Sequence, residues 1–288
     1  MVTPFGEGGR LDVDGAVTLA RFLVAHGSDA LVITGTTGEA PVLSGAEKIE
    51  LWRAVAEAVT APVIAGTGTS DTAHSIELAL RAEQAGVAGV LVVTPYYNRP
   101  SQAGLAAHFS AVAQSTSLPV MLYDIPVRTG RKISHDTMVQ LAGEVPNIVG
   151  VKDAAGDVAG TARLVAEAPA GFEVYCGDDV LTLPMVAVGA VGLVSVASHW
   201  AGEEHRDLIG AYLAGDVAGA RVLNTVLGPS HRFESTEDAP NPLPAKAMLR
   251  VLGLPAGECR LPMGPAPSGL EDRAKQVLAD LDAWRARG

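Results

Sequence analysis

Two cysteines in 288 residues, Cys176 and Cys259, lie far apart and in no C-x-x-C spacing. Neither a disulfide framework nor a zinc site is indicated, and a reducing cytoplasm fits that usage. Lysine is nearly as scarce, confined to Lys48, Lys132, Lys152, Lys246 and Lys275. Positive charge is short overall: 21 Lys plus Arg face 32 Asp plus Glu, a formal net charge of -11. A nucleic acid or an anionic membrane needs a basic face that such a chain lacks, so neither is expected as a partner. No run of about 18 apolar residues occurs, which argues against a membrane span. No basic stretch leading into a long apolar run follows Met1, so no secretory signal is expected. Gly66-Thr67-Gly68 lacks the third glycine of a dinucleotide fingerprint, and no G-K-[ST] phosphate loop is found. His199 and His205 flank Glu203-Glu204 in an order that is not H-E-x-x-H, so no metal is expected.

What is present is apolar and periodic. Hydrophobic residues make up 48% of the chain, and short β-branched runs recur every 20 to 30 residues, at 2-5, 30-34, 62-66, 88-94, 119-123, 148-152, 172-176 and 191-196. Between them lie segments of helical period such as 47-59 and 73-85, the second closed by Gly86. Eight such units predict an α/β fold, a closed (β/α)8 TIM barrel over 1-214. After about residue 200 the strand signal disappears. Helices near 202-214, 216-232, 242-253 and 269-286, with a Pro- and acid-rich loop at 233-245, predict a C-terminal helical extension over 215-288. The first run, VTPF, is short for a strand, so either that strand is brief or the natural start lies upstream of Met1.

In such barrels the chemistry sits where strands run into the following loops. Strand two leads into Gly35-Thr36-Thr37-Gly38-Glu39, strand four into Thr94-Pro95-Tyr96-Tyr97-Asn98-Arg99-Pro100, and strand five into Tyr123-Asp124-Ile125-Pro126-Val127-Arg128. Strand six ends in Lys152-Asp153, strand seven in Gly177-Asp178-Asp179, and strand eight at Val194-Ser195. Lys152 carries most weight, because an ammonium ending an apolar strand is pressed toward its neutral form, and a neutral amine attacks carbonyls. The competing reading is a structural ion pair with Asp153 or another carboxylate. Tyr123 lies on the preceding strand, within natural reach of that amine, although a core tyrosine with a satisfied hydroxyl is equally ordinary. The Thr36-Thr37 loop could cradle a carboxylate or be a simple turn, and Arg128 could hold a second carboxylate or be merely solvated. Asp178 and Asp179 read as acids at a helix N-terminus.

With GTTGE, TPYYNRP, Y-D-I-P-x-R-T-G and GVKDA in order and at family spacing, and with the Asn241-Lys246 and Arg260-Met263 segments beyond them, the sequence resembles the dihydrodipicolinate synthase / N-acetylneuraminate lyase family of class I aldolases over essentially its whole length. The resemblance implies a Schiff base between Lys152 and pyruvate, with no separate cofactor. It implies Tyr123, Thr36 and Tyr97 as a proton relay, Tyr97 entering from a neighbouring subunit of a homotetramer. Thr37, Val194 and Gly177 would line the bound pyruvate, and Arg128 would recruit the carboxylate of L-aspartate 4-semialdehyde in the route to diaminopimelate and lysine. Asp124 and Val127 stand where the family often has Asn and Ser. Two other readings stay open: a sibling aldolase using a sugar-derived aldehyde, which usually lacks the arginine at position 128, and a non-catalytic barrel that binds a keto acid.

Overall fold

Val, Ile and Leu in short uninterrupted runs favour strands buried on both faces, and the intervening helical segments carry the chain back so that successive strands run parallel. The computed structural model describes residues 1-287. It divides into two units, Met1–Ala61 with Val196–Gly288, and Pro62–Ser195. The first unit begins with α1 (Val13–Ala25), β1 (Leu31–Ile33) and α2 (Gly45–Ala58). Ser44 and Glu47 form a reciprocal capping box at the start of α2, which satisfies backbone donors that an uncapped helix would leave open.

The second unit repeats strand and helix: β2 (Val63–Gly66), α3 (Thr72–Gln84), β3 (Gly89–Val93), α4 (Gln102–Gln114), β4 (Val120–Asp124), the one-turn α5 (Pro126–Thr129) and α6 (His135–Glu144). It continues with β5 (Ile148–Asp153), α7 (Val158–Glu167), β6 (Glu173–Cys176), α8 (Thr182–Ala187) and β7 (Gly192–Leu193). From β2 to β7 each strand pairs in parallel with the next. The core is made by residues such as Val90, Val92, Leu122 and Val151, all fully buried, with helix faces such as Leu105 and Phe109. Close strand approach depends on glycine at two places. A Cβ on Gly68 would lie 2.3 Å from the Val93 nitrogen, and one on Gly150 2.5 Å from the Glu173 carbonyl oxygen.

After β7 the chain returns to the first unit as α9 (Ser198–Leu213), α10 (Val217–Phe233), α11 (Leu243–Val251) and α12 (Leu270–Arg285). All four helices lie within a few residues of their expected positions. Among the described residues no helix is long and apolar enough to cross a membrane.

Seven of the eight expected strands form; the run at 2-5 does not. Phe5 makes only an isolated antiparallel bridge to Leu11, and Pro4 lacks the N–H a ladder needs. The last strand shrinks from the expected 191-196 to two residues, because Val194, through its N–H to the Cys176 carbonyl, is the last to follow β6.

His108 on α4 is a test of the core's polarity. It is buried, its Nδ1 lies 2.9 Å from Thr72 Oγ1, and its Nε2 has no partner. Burial pulls its pKa down to about 4. In the unfolded chain the imidazole takes a proton near pH 6.5, in the folded chain only near pH 4. Stability present above 6.5 is therefore lost as the pH falls through that window, at up to about 1.4 kcal/mol per pH unit. Urea unfolding at pH 7 and pH 5 is expected to show a larger drop for the parent than for His108→Gln; equal drops would remove His108 from the acid response.

Candidate active site

The strand registers bring the central pair together. Tyr123 of β4 lies directly opposite Lys152 of β5, and the Lys152 Nζ sits 4.5 Å from the centre of the Tyr123 ring. An ammonium over a phenol face is held electrostatically while remaining accessible. Lys152 is half-buried, not enclosed as its apolar strand suggested. The ion-pair alternative with Asp153 does not form. That carboxylate accepts Thr161 Oγ1–H at 2.7 Å and the Ala155 N–H at 2.9 Å, which turns it away from the amine. Tyr123 is held by its own backbone: its carbonyl accepts both the N–H and the hydroxyl of Thr94.

Gly177, at the end of β6, presses on the lysine stem. A Cβ there would stand 3.0 Å from Lys152 Cγ and Cε and 2.9 Å from the Ala154 Cβ, so only glycine leaves the side chain room. Asp178 follows. Burial raises its carboxyl above the usual range while the Lys152 charge opposes that shift, so the two groups sense each other. Sequence reading gave Asp178 and Asp179 to a helix N-terminus, and that is where they lie: Asp178 is the N-cap, and Asp179 the first residue, of the short 3-10 helix Asp179–Leu181 that leads into α8. The Asp179 carboxylate also accepts the Ser195 hydroxyl, tying the end of β6 to the segment after β7 that holds Val194. Cys176 beside them is buried, and burial pushes its thiol up to about 12, so it stays protonated and unreactive.

Tyr97 is 94% exposed with φ +73°, an uncommon conformation for a non-glycine residue. Asn98 holds it there, donating its side-chain amide to the Ser70 carbonyl at 2.9 Å. This loop is latched to the one carrying Arg128: Arg99 Nε donates to the Gly130 carbonyl, and Arg131 Nη2 donates to the Arg99 carbonyl. Arg128 itself is exposed on α5, and among the described residues nothing pairs with its guanidinium.

In the first unit, Thr36 and Thr37 sit in a turn bracketed by Thr34 and Glu39, both with left-handed backbone (φ +53° and +56°). Thr3 Oγ1 donates to the Gly38 carbonyl and Trp52 Nε1 donates to Thr34 Oγ1, which pins the turn from two sides. Asn241 Nδ2 donates to Thr37 Oγ1 at 2.9 Å, leaving the threonine proton available to an acceptor. Glu39 forms a buried ion pair with Lys246 at 2.6 Å and accepts the Arg260 N–H. The Lys246 ammonium, which burial draws below its ordinary range, and the Arg260 guanidinium each lie 4.2 Å from the Phe5 ring. The roles of Asn241 and Lys246 were not read from the sequence, although a lysine within the apolar segment NPLPAKAML was a signal for a buried pair. No cluster of three His, Cys, Asp or Glu able to hold a metal ion occurs among the described residues.

The model of the dihydrodipicolinate synthetase family matches residues 1–281. The chain belongs to that family. Within it, the chain is 53% identical over 282 residues to the 4-hydroxy-tetrahydrodipicolinate synthase of Moorella thermoacetica, covering 97% of this chain and 96% of that one. It is 46% identical to the enzyme of the same name from Bacillus subtilis, covering 92% and 91%. Among solved structures of the dihydrodipicolinate synthetase family, the dihydrodipicolinate synthase of Bacillus anthracis superposes with a TM-score of 0.93 at 44% identity over 97% of this chain and 95% of that one. The enzyme from Cyanidioschyzon merolae, solved with lysine bound, does so at 0.95 and 39%, covering 98% and 96%.

Proposed function

We propose that the protein is a lyase that condenses pyruvate with L-aspartate 4-semialdehyde to give 4-hydroxy-tetrahydrodipicolinate, on the route to diaminopimelate and lysine. The observation that carries the reading is the Lys152 amine seated over Tyr123 at matched strand register in a chain of this family. The Lys152 nitrogen in its neutral form attacks the ketone carbon of pyruvate, water leaves, and a protonated imine results. That cation withdraws electrons, so a methyl proton is lost and an enamine forms, whose terminal carbon attacks the aldehyde while the aldehyde oxygen takes a proton to become the hydroxyl. The semialdehyde's own amino group then attacks the regenerated imine carbon, which closes the ring and expels the Lys152 amine. Tyr123, Thr36 and Tyr97 move the protons. Thr37 holds the pyruvate carboxylate, with Val194 and Gly177 lining the bound molecule. The protonated imine is the electron sink, so the chemistry needs no metal or organic cofactor.

The strands are read as a (β/α)8 barrel over 1-214 carrying a helical extension over 215-288, and the protein as a cytoplasmic homotetramer in which Tyr97 serves a neighbouring subunit. Its exposure and its fixed left-handed backbone support that role. The family also holds members acting on other aldehydes, and a coupled assay comparing aspartate semialdehyde with sugar-derived aldehydes decides between them. Turnover of the sugar aldehydes alone would overturn the substrate assignment. Arg128→Ala is expected to raise the KM for aspartate semialdehyde by about 10²-fold, the loss of a charged hydrogen-bonding partner, while pyruvate fixed on Lys152 by borohydride stays within about twofold of the parent. Equal loss of both would remove Arg128 from the second-substrate role.

A further inference from the structure

The loop between β4 and α6 carries three cations, Arg128, Arg131 and Lys132, and the structure disposes of them differently. Arg131 is tied to the Arg99 carbonyl. Lys132 is drawn to Asp124, whose carboxylate is buried at the very end of β4, one residue beyond Tyr123. Oδ2 lies 3.3 Å from Lys132 Nζ and Oδ1 accepts the Ile133 N–H at 3.2 Å. Asp124 thus closes the loop at its base, joining the end of β4 to the returning residues Lys132 and Ile133. Gln102 secures the same returning segment through the Lys132 carbonyl and the Ser134 N–H. Only Arg128, at the crest, is left unpaired.

We infer that Asp124 is a positioning residue for the second substrate: it retains Lys132 as a structural cation and fixes the loop so that Arg128 alone meets the incoming carboxylate. The inference rests on the function proposed above. The charged groups facing Asp124 are Lys132 from its own loop and Asp153 from β5. Burial outweighs the lysine's attraction and raises the Asp124 carboxyl to about 6. Its charge is therefore lost in mildly acid solution, and Lys132 is then released.

The test is Asp124→Asn, which can still accept the Ile133 N–H but cannot retain Lys132. The KM for aspartate semialdehyde is expected to rise about tenfold through displacement of Arg128. The KM for pyruvate and the yield of borohydride-fixed pyruvate on Lys152 should stay at parental values. Lys132→Met should behave likewise, Lys132→Arg should restore the parental KM, and Asp124→Asn should add nothing in an Arg128→Ala background. In the parent, kcat/KM for the aldehyde should fall below about pH 6, and that acid limb should vanish in Asp124→Asn. Because the buried charge costs the fold stability above that pH, the Asn variant is expected to melt no lower than the parent at neutral pH. A parent that turns over aspartate semialdehyde beside variants with an unchanged aldehyde KM, or with both KM values raised in proportion, overturns the clamp alone. A parent that does not turn over aspartate semialdehyde overturns the substrate reading and the clamp with it.

Discussion

Lys152→Ala is expected to lower kcat by on the order of 10⁴-fold or more, the scale seen when a covalent nucleophile is removed. Loss of this amine is unlike loss of a binding group. Without it no imine forms, pyruvate has no electron sink, and the remaining hydroxyls have no enamine-forming step to relay protons for. Borohydride added with pyruvate should fix one pyruvate unit on the parent protein, on the peptide containing Lys152, and none on the variant. Lys152→Arg should be as inactive, since a guanidinium keeps its charge but does not act as an amine nucleophile. An adduct on any of the other four lysines, or more than about 1% residual kcat in the variant, would sink the Schiff-base assignment.

Lys246→Met is expected to give the largest loss of stability. Lys246 and Glu39 are both almost fully buried and 2.6 Å apart. Removing one partner strands the other charge away from water, which typically costs about 3 to 5 kcal/mol and lowers the melting temperature by roughly 6 to 20 °C in a chain of this size. Glu39 ends the Thr36-Thr37 turn in left-handed backbone, so the turn should loosen as well. The double variant Glu39→Gln, Lys246→Met leaves no uncompensated charge and should recover part of the loss. Thermal melts of the four proteins in the cycle measure the coupling. If the single and double variants lose stability equally, the pair is not what holds this turn.

How much of this was legible in the sequence depends on the reach of each interaction. The strands β2 to β6 are nearly continuous apolar runs, and the crossover helices have their own period, so local pattern suffices for both. The VTPF run failed because four residues containing a proline cannot make a ladder on propensity alone. At the site, the pairing of Lys152 with Tyr123 followed from consecutive strand ends. The partner of Asp153 did not, because Thr161 Oγ1 is eight residues away on a helix whose orientation no local signal gives. The place of Asp179 at a helix N-terminus was legible, but its bond to Ser195 was not, for the same reason: that partner arrives after a further helix and strand. Asn241 is further still from Thr37, 204 residues along the chain. The Asp124–Lys132 pair was within range, eight residues apart, but an acid and a base in a loop look like any solvated charges until one of them is found buried.

Gly177 has a consequence for how this site can change over generations. With a Cβ crowded by both Lys152 and Ala154, every amino-acid replacement at this position brings a side chain against the reactive amine's own stem. A compound that occupies this corner, packed against the lysine and the glycine, thus presses on a position where any replacement of the glycine also crowds the nucleophile.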